Sequence, residues 1–316
     1  MNKLTTPVIL VISSACALLI LSFGFRSSFG LFVTDITEPN HWGREVISLS
    51  LAIQNLTWGI VAVFAGGIAD RFGSTKVIVG AAVLYGVGLW LTAGVNSEWV
   101  LHGATGVFVG AGIAGTAFGI VLPAMARAVG PERRQWALGL GTAAGSFGQF
   151  LIVPIVQGLI DIADWQMALH IMAGATVLMA LLAIPLAPYS GASEQAQDAL
   201  AEQTMPQALR EAFAYGSYNW LLAGFFVCGF NLAFITVHMP SFLKDLGFSA
   251  QVGAWSIAII GLANVVGSYS SGLISSRWSM RKLLSWIYFG RAGLVSAFML
   301  MPPALTTVIL FSIITG

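Results

Sequence analysis

Hydrophobic residues run in long blocks along the chain, separated by short polar punctuation. A helix that crosses the hydrocarbon core of a bilayer needs about 20 mainly apolar residues. Blocks of that kind fall at Val8–Phe32, Ile47–Ile68, Val77–Val95, Val100–Ala126, Trp136–Ile160 and Gln166–Leu186. Three more follow at Tyr218–Pro240, Val252–Ser275 and Leu283–Met301, and Ala304–Gly316 reads as the start of a tenth. Apolar residues surround each block on all sides, which suits helices in lipid and not the alternating strands of a membrane barrel. The first block runs on past Cys16 to Phe25, too long for the core of a cleaved signal peptide, and further spans follow it. The expectation is an all-α polytopic membrane protein.

Composition narrows the class. Hydrophobic residues make up 57% of the 316 and charged residues 9%, against about 25% charged in a soluble domain. That excludes a soluble enzyme, a disordered chain, a coiled coil and a nucleic-acid binder. Cys16 and Cys228 lie inside apolar runs, so no disulfide framework is implied. Neither H-E-x-x-H nor G-x-S-x-G occurs, so no membrane enzyme and no cofactor is expected. The net charge of +1 is small, but its placement is informative. Alternating the spans puts Lys3, Arg71, Lys76, Arg127, Arg133, Arg134, Arg210, Arg277, Arg281 and Lys282 on one side and only Arg44 and Lys244 on the other. The positive-inside rule then places the N-terminus in the cytoplasm. The longest polar stretch, Tyr189–Gly216, falls after the sixth span and reads as a cytoplasmic linker, with a short amphipathic helix around Met205–Phe213. Three segments result: residues 1–188, a linker at 189–216, and 217–316.

The two outer segments repeat one another. Gly66-Gly67-Ile68-Ala69-Asp70-Arg71-Phe72-Gly73, with Lys76 beyond it, has a counterpart 206 residues later in Gly272-Leu273-Ile274-Ser275-Ser276-Arg277-Trp278-Ser279, with Lys282 beyond it. Phe23-Gly24-Phe25-Arg26 has one 205 residues later in Cys228-Gly229-Phe230-Asn231. Two halves of like orientation are a plan of secondary transporters. The stretch Gly66–Lys76 resembles the signature loop between helices 2 and 3 of the major facilitator superfamily. Gly66 and Gly67 would let helix backbones approach, Asp70 and Arg71 supply opposite charges at the cytoplasmic mouth, and Gly73 permits a tight turn. The resemblance implies two pseudo-symmetric six-helix bundles, and a gating role for Gly66, Gly67, Asp70, Arg71, Gly73, Lys76 and Arg277 against helix 11. On that plan the chain stops within helix 10, so the second bundle is expected to be truncated.

Ionisable or polar groups at membrane depth are the candidates for chemistry, since an arginine at mid-membrane costs about 2.5–3.5 kcal/mol on insertion scales. Arg26 lies in the outer half of the first span, and no carboxylate occupies the interior of any span. Facing a water-filled cavity it would hold a carboxylate in a two-pronged hydrogen bond; otherwise it reaches outward to water or to Asp35. His238, seven residues after Asn231 and on the same helix face, either hydrogen-bonds within the bundle or serves substrate or proton. Asn264, Ser268, Ser271 and Ser275 draw a polar stripe down the eighth span, as a cavity wall or as helix–helix hydrogen bonds. Gln54 and Asn55 are adjacent, so one of them at most faces the same way. In the ninth span Arg291 reads as structural, because the resemblance puts that helix at the periphery. Gly141, Gly145 and Gly148 form a small-residue face on the fifth span.

The runs Gly24–Phe32, Gln54-Asn55-Leu56-Thr57-Trp58-Gly59 and His238-Met239-Pro240 before Asp245-Leu246-Gly247 resemble bacterial members of the monocarboxylate porter and oxalate/formate antiporter branch. The resemblance implies a cation on helix 1 for the substrate carboxylate, at or beside Arg26. It also implies an Asp and an Arg four apart on helix 8, where this chain has Asn264 and Ser268 instead. The function expected is secondary active transport of a small organic anion by alternating access, with substrate contacts from Arg26, Asn231, His238, Asn264, Ser268 and Gln54. The implied partners are the anion, a coupling proton or counter-substrate, and the lipid of a bacterial plasma membrane, with a monomeric carrier. The alternatives are a proton-coupled exporter of amphipathic compounds and a truncated chain that does not transport.

Overall fold

A computed structural model describes residues 6–190, 205–275 and 279–316. Lys3, Arg277 and half of the stretch read as a linker (191–204) lie outside these residues. Among them nine helices are long and apolar enough to cross a membrane. In lipid a backbone must satisfy its own hydrogen bonds, and helices do so residue by residue. The first six are α1 (Thr6–Thr37), α2 (Arg44–Phe72), α3 (Ser74–Ala93), α4 (Glu98–Val129), α5 (Pro131–Ile162) and α6 (Trp165–Leu182). A helix at Met205–Ala214 precedes α7 (Gly216–Asp245), α8 (Ala250–Ser275), α9 (Met280–Leu300) and the shorter α10 (Leu305–Thr315). At about 1.5 Å per residue, even the 18-residue α6 reaches about 27 Å, close to the thickness of the hydrocarbon core.

Helices α1–α6 form one packed bundle, and small residues set its spacing. α1 lies along α5, with α3 against α6 and α4 wedged between α2 and α3. A Cβ on Gly148 of α5 would come within 2.7 Å of the Ile20 Cα of α1, so the two backbones touch there. Gly106 and Gly110 of α4 meet α2 in the same way, and Gly112 and Gly115 meet α3. The fully buried Tyr85 of α3 donates its hydroxyl to the Ser22 carbonyl of α1 at 3.3 Å, and Ser22 in turn bonds Thr116 of α4 at 2.8 Å.

α4 is not one regular helix. A π-helical stretch occupies His102–Val109, and the chain is extended at Ala117 (φ −85°, ψ −179°) before helix resumes at Phe118. The buried Gln54 donates to the Thr105 carbonyl inside the π-helical stretch at 3.1 Å, and Ser50 bonds His102 Nδ1 at 2.7 Å. Irregular backbone at membrane depth survives where neighbouring side chains meet the polar groups it frees.

The inner end, which the charge bias assigns to the cytoplasm, is tied within this bundle. Gly73 turns the chain from α2 to α3 at φ +95°, a conformation that favours glycine. Ser74 N donates to the Ser190 carbonyl at 3.0 Å, and Arg127 of α4 donates to the Tyr189 carbonyl at 2.7 Å and to Ser74 Oγ at 3.3 Å. Asp70 is half-buried and within electrostatic reach of Arg127. Arg71 is exposed over the Phe72 ring, and Lys76 is exposed. Among the described residues nothing lies within 4 Å of a Cβ built on Gly66. Gly67 is half-buried beside it.

Candidate functional site

Arg26 stands about 7 Å to the outer side of the midpoint of α1, from its position in a helix of 1.5 Å rise. Its Nη2 donates to Asn55 Oδ1 of α2 at 3.1 Å, and its guanidinium carbon lies 4.9 Å from the centre of the Trp58 ring. Asn55 is itself held by donating Nδ2 to the Leu51 carbonyl at 2.8 Å, so its oxygen is aimed. Phe23, one turn before Arg26, meets Trp58 edge-on at 6.2 Å and stacks on Phe118 of α4 at 4.1 Å. The break at Ala117 introduces the helical segment that carries Phe118. All five side chains are partly accessible, and Phe23, Trp58 and Phe118 pack against the hydrophobic core.

The electrostatics of this corner are one-sided. Among the described residues Arg26 forms no ion pair, with Asp35 or any other carboxylate. A guanidinium carries five N–H donors, and Asn55 takes one of them. The aromatic rings attract the cation through their faces but supply no acceptor. Such a fork can take both oxygens of a carboxylate at once.

The other substrate-site candidates are distributed more widely. Gln54 is buried and turned to α4, so of the adjacent pair it is Asn55 that reaches Arg26. His238 packs on the Phe234 ring at 4.9 Å, near the outer end of α7, and Asn231 is half-buried two turns earlier. No hydrogen bond joins either of them to Arg26 among the described residues. Asn264 Nδ2 donates to Ser146 Oγ of α5 at 3.0 Å, so this member of the α8 stripe makes a bond between helices. Ser268 lines a cavity of about 820 Å³ between α8, α9 and α10, together with Arg291, whose Nη2 donates to the Thr315 carbonyl at 2.8 Å. The side chains of Ser271 and Ser275 lie outside those described.

Several residues that the sequence did not place in a site hold α7 and α8 against the first bundle. At the outer end Arg44 of α2 grips Asp245 of α7 with two prongs, Nη1–Oδ2 at 2.5 Å and Nη2–Oδ1 at 2.7 Å. Lys244 donates to Thr34 Oγ1 at 3.1 Å and lies 3.7 Å from Glu38. Gln251 of α8 donates to Asp161 of α5 at 2.7 Å. Towards mid-membrane, Gln149 of α5 donates to the Ile257 carbonyl of α8 at 2.8 Å. The inner half of α7 is bare by contrast, with Trp220 81% exposed and Phe225 and Phe226 exposed beside it. The polar contacts between the two groups of helices lie at the outer end and towards mid-membrane.

Comparison with known proteins matches this architecture to one family. A sequence model of the Major Facilitator Superfamily covers residues 15–316. The chain belongs to that superfamily. It is therefore an integral membrane protein of a transporter family, not of an enzyme family, and has the major facilitator fold. A bacterial homologue of the human lysosomal transporter Spinster, solved inward-facing and unoccupied, superposes with a TM-score of 0.74 over 98% of this chain and 72% of its own, at 15% identity. The MFS-type transporter YcxA of Bacillus subtilis is 27% identical over 297 residues, 89% of this chain and 68% of that protein. Monocarboxylate transporter 13 of Bos taurus is 22% identical over 267 residues, 83% of this chain and 60% of that protein. The chain thus spans about two thirds or less of the length of these curated relatives.

Proposed function

We propose that this facilitator carries a small organic monocarboxylate by alternating access, with Arg26 as the group that receives the carboxylate. The observation that carries the reading is a guanidinium about 7 Å to the outer side of the midpoint of α1 that has, among the described residues, one neutral hydrogen-bond acceptor and no counter-charge. Desolvated charge of this kind is retained where it binds something. A carboxylate supplies what Asn55 cannot, a full negative charge and two acceptors in the plane of the fork. Trp58 and Phe23 form an apolar wall beside it for the body of the acid. The distant similarity to proteins named as monocarboxylate transporters supports the same substrate class. His238 and Asn231 on α7 would meet the substrate or a coupling proton from the opposite bundle, and the plasma membrane of a bacterium is the expected location. The contacts at the outer end describe a state closed to the outside, from which substrate exchanges with the inner side.

The test is carboxylate binding to the purified protein, read as a shift in melting temperature with lactate and as lactate uptake into proteoliposomes. Arg26→Gln should weaken lactate binding by about 30-fold or more, the loss expected when one partner of a desolvated, hydrogen-bonded charge pair is removed. Arg26→Lys should retain part of the binding, because it keeps the charge and loses the fork. Lactate binding equal to that of the unaltered protein in Arg26→Gln would remove Arg26 from the site.

A further inference from the structure

One glutamine joins three helices where the two bundles meet. Gln149 sits in the apolar middle of α5 and is 8% exposed. Its Nε2 donates to the Ile257 carbonyl of α8 at 2.8 Å, and its Oε1 accepts from Ser27 Oγ of α1 at 3.3 Å. Ser27 directly follows Arg26. A serine inside a helix ordinarily turns its hydroxyl back to the carbonyl four residues earlier, as Ser28 does to Gly24 at 2.9 Å. Ser27 instead sends its hydroxyl out of α1 to α5. The helices come close enough because glycines stand at the crossings. A Cβ on Gly261 of α8 would lie 2.9 Å from the Gln149 Cβ and 2.8 Å from the Ser146 carbonyl, and Gly148 meets the backbone of Ile20.

The two arms of Gln149 differ in what breaks them. The Ser27 arm stays inside the first bundle, whereas the Ile257 arm crosses to the second. A motion that parts α8 from α5 strips the Nε2 donor and leaves it buried, at a cost greater than the bond's net worth when made. A change in α1 beside Arg26 acts on the Oε1 arm of the same planar amide. The amide is rigid, so turning it to suit one partner turns it away from the other.

We propose that Gln149 is a positioning residue that couples the anion site to the bundle interface: by gripping Ser27 and the Ile257 carbonyl together, it makes carboxylate binding at Arg26 and docking of α8 on α5 favour one another. This rests on the reading of Arg26 as the carboxylate site. Coupling of this kind is reciprocal, so lactate strengthens docking by the factor by which docking strengthens lactate binding.

The experiment uses spin labels at the outer ends of α5 and α8, on Ala163→Cys and Ser249→Cys with Cys16 and Cys228 replaced by serine, and measures their separation with and without lactate. In the otherwise unaltered protein, lactate should raise the docked population. Gln149→Met fills the same space without hydrogen bonds; it should lower the ligand-free docked-to-parted ratio by about fivefold or more, since parting the unaltered protein leaves the Nε2 donor buried and unpaired, and abolish the response to lactate. Ser27→Ala cuts only the α1 arm and should leave ligand-free docking unchanged while abolishing the response. Loss of the lactate response in Ser27→Ala with docking unchanged separates positioning from plain structural support by the Ile257 arm, which would leave that response intact. A full lactate response in Gln149→Met or in Ser27→Ala overturns the coupling. Failure of lactate to bind the unaltered protein overturns the Arg26 reading and the coupling with it, whereas binding with a response insensitive to both substitutions overturns the coupling alone.

Discussion

The pair Arg44–Asp245 makes the outer closure testable by charge exchange. Both side chains are about half exposed, 45% and 50%, so their attraction is screened by water and salt. Exposed pairs contribute about 0.2–1 kcal/mol, and the two-pronged geometry here puts this one near the top of that range. The bond exists only while α2 and α7 are together, so about 1 kcal/mol favours the closed state, close to a fivefold population ratio. Arg44→Asp removes that attraction and sets two carboxylates face to face, which adds about as much again in the other direction. The closed-to-open ratio should therefore fall by about 30-fold, and Asp245→Arg should do the same. The exchanged protein carrying both substitutions should return to within a few-fold of the original, because the pair re-forms with its ends reversed. Labels on Pro39→Cys and Ser249→Cys, both at exposed outer positions, report the separation by electron spin resonance. Raising salt to about 1 M, where the screening length is about 3 Å, should weaken the effect of either single substitution. If the exchanged protein is as open as the single variants, the two charges do not act on each other and the clamp is not part of the closure.

Three further substitutions test the packing that the site rests on. Gly148→Ala forces a Cβ against the Ile20 backbone of α1 and should destabilise by about 1–3 kcal/mol as overpacking does, whereas Gly158→Ala, with nothing within 4 Å of its Cβ, should leave the melting temperature unchanged or slightly raised. Arg127→Ala removes donors to the Tyr189 carbonyl, Ser74 Oγ and the Ser190 carbonyl, and should make the α2–α3 turn susceptible to limited proteolysis at the inner end while leaving lactate affinity within twofold, a bound that a larger change would break.

The fold was legible because lipid imposes one strong rule, that each crossing segment be long, apolar and helical, and that rule leaves its mark residue by residue. The blocks at Ile47–Ile68 and Tyr218–Pro240 correspond to helices that run a few residues further at each end, Arg44–Phe72 and Gly216–Asp245, because polar residues near the interface still continue a helix. The turn at Gly73 was legible for a similar reason, since a positive φ selects for glycine. The irregularities of α4 were not. Ala117 is extended between two helical segments without a proline at the break, and the π-helical stretch depends on Gln54 reaching Thr105 from another helix. The choice between Gln54 and Asn55 was open for a related reason. Neighbours on a helix point about 100° apart, and which of them meets Arg26 is set by the rotation of α2, which its glycine contacts with α4 fix.

The contacts that matter most for function are the least visible in the sequence, and the reason is electrostatic. Arg44 and Lys244 were conspicuous as the two cations on a side otherwise without them, and a topology rule that counts charges explains them no further. Their partners lie across the bundle interface, in Asp245 201 residues away and in Glu38 and Thr34 on α1. Coulomb attraction acts through space and places no spacing on the chain, so such pairs carry no periodicity to read. The same holds for Gln149, one amide in an apolar helix beside the glycines that were read as a packing face. Gly148 of that face brings α1 within reach and Gly261 brings α8, and the amide uses the proximity they create. A membrane interior tolerates an isolated polar side chain only when something satisfies it. A glutamine next to a run of small residues is therefore a sign that two backbones come close enough for it to bridge them, and here the bridge runs between the two bundles.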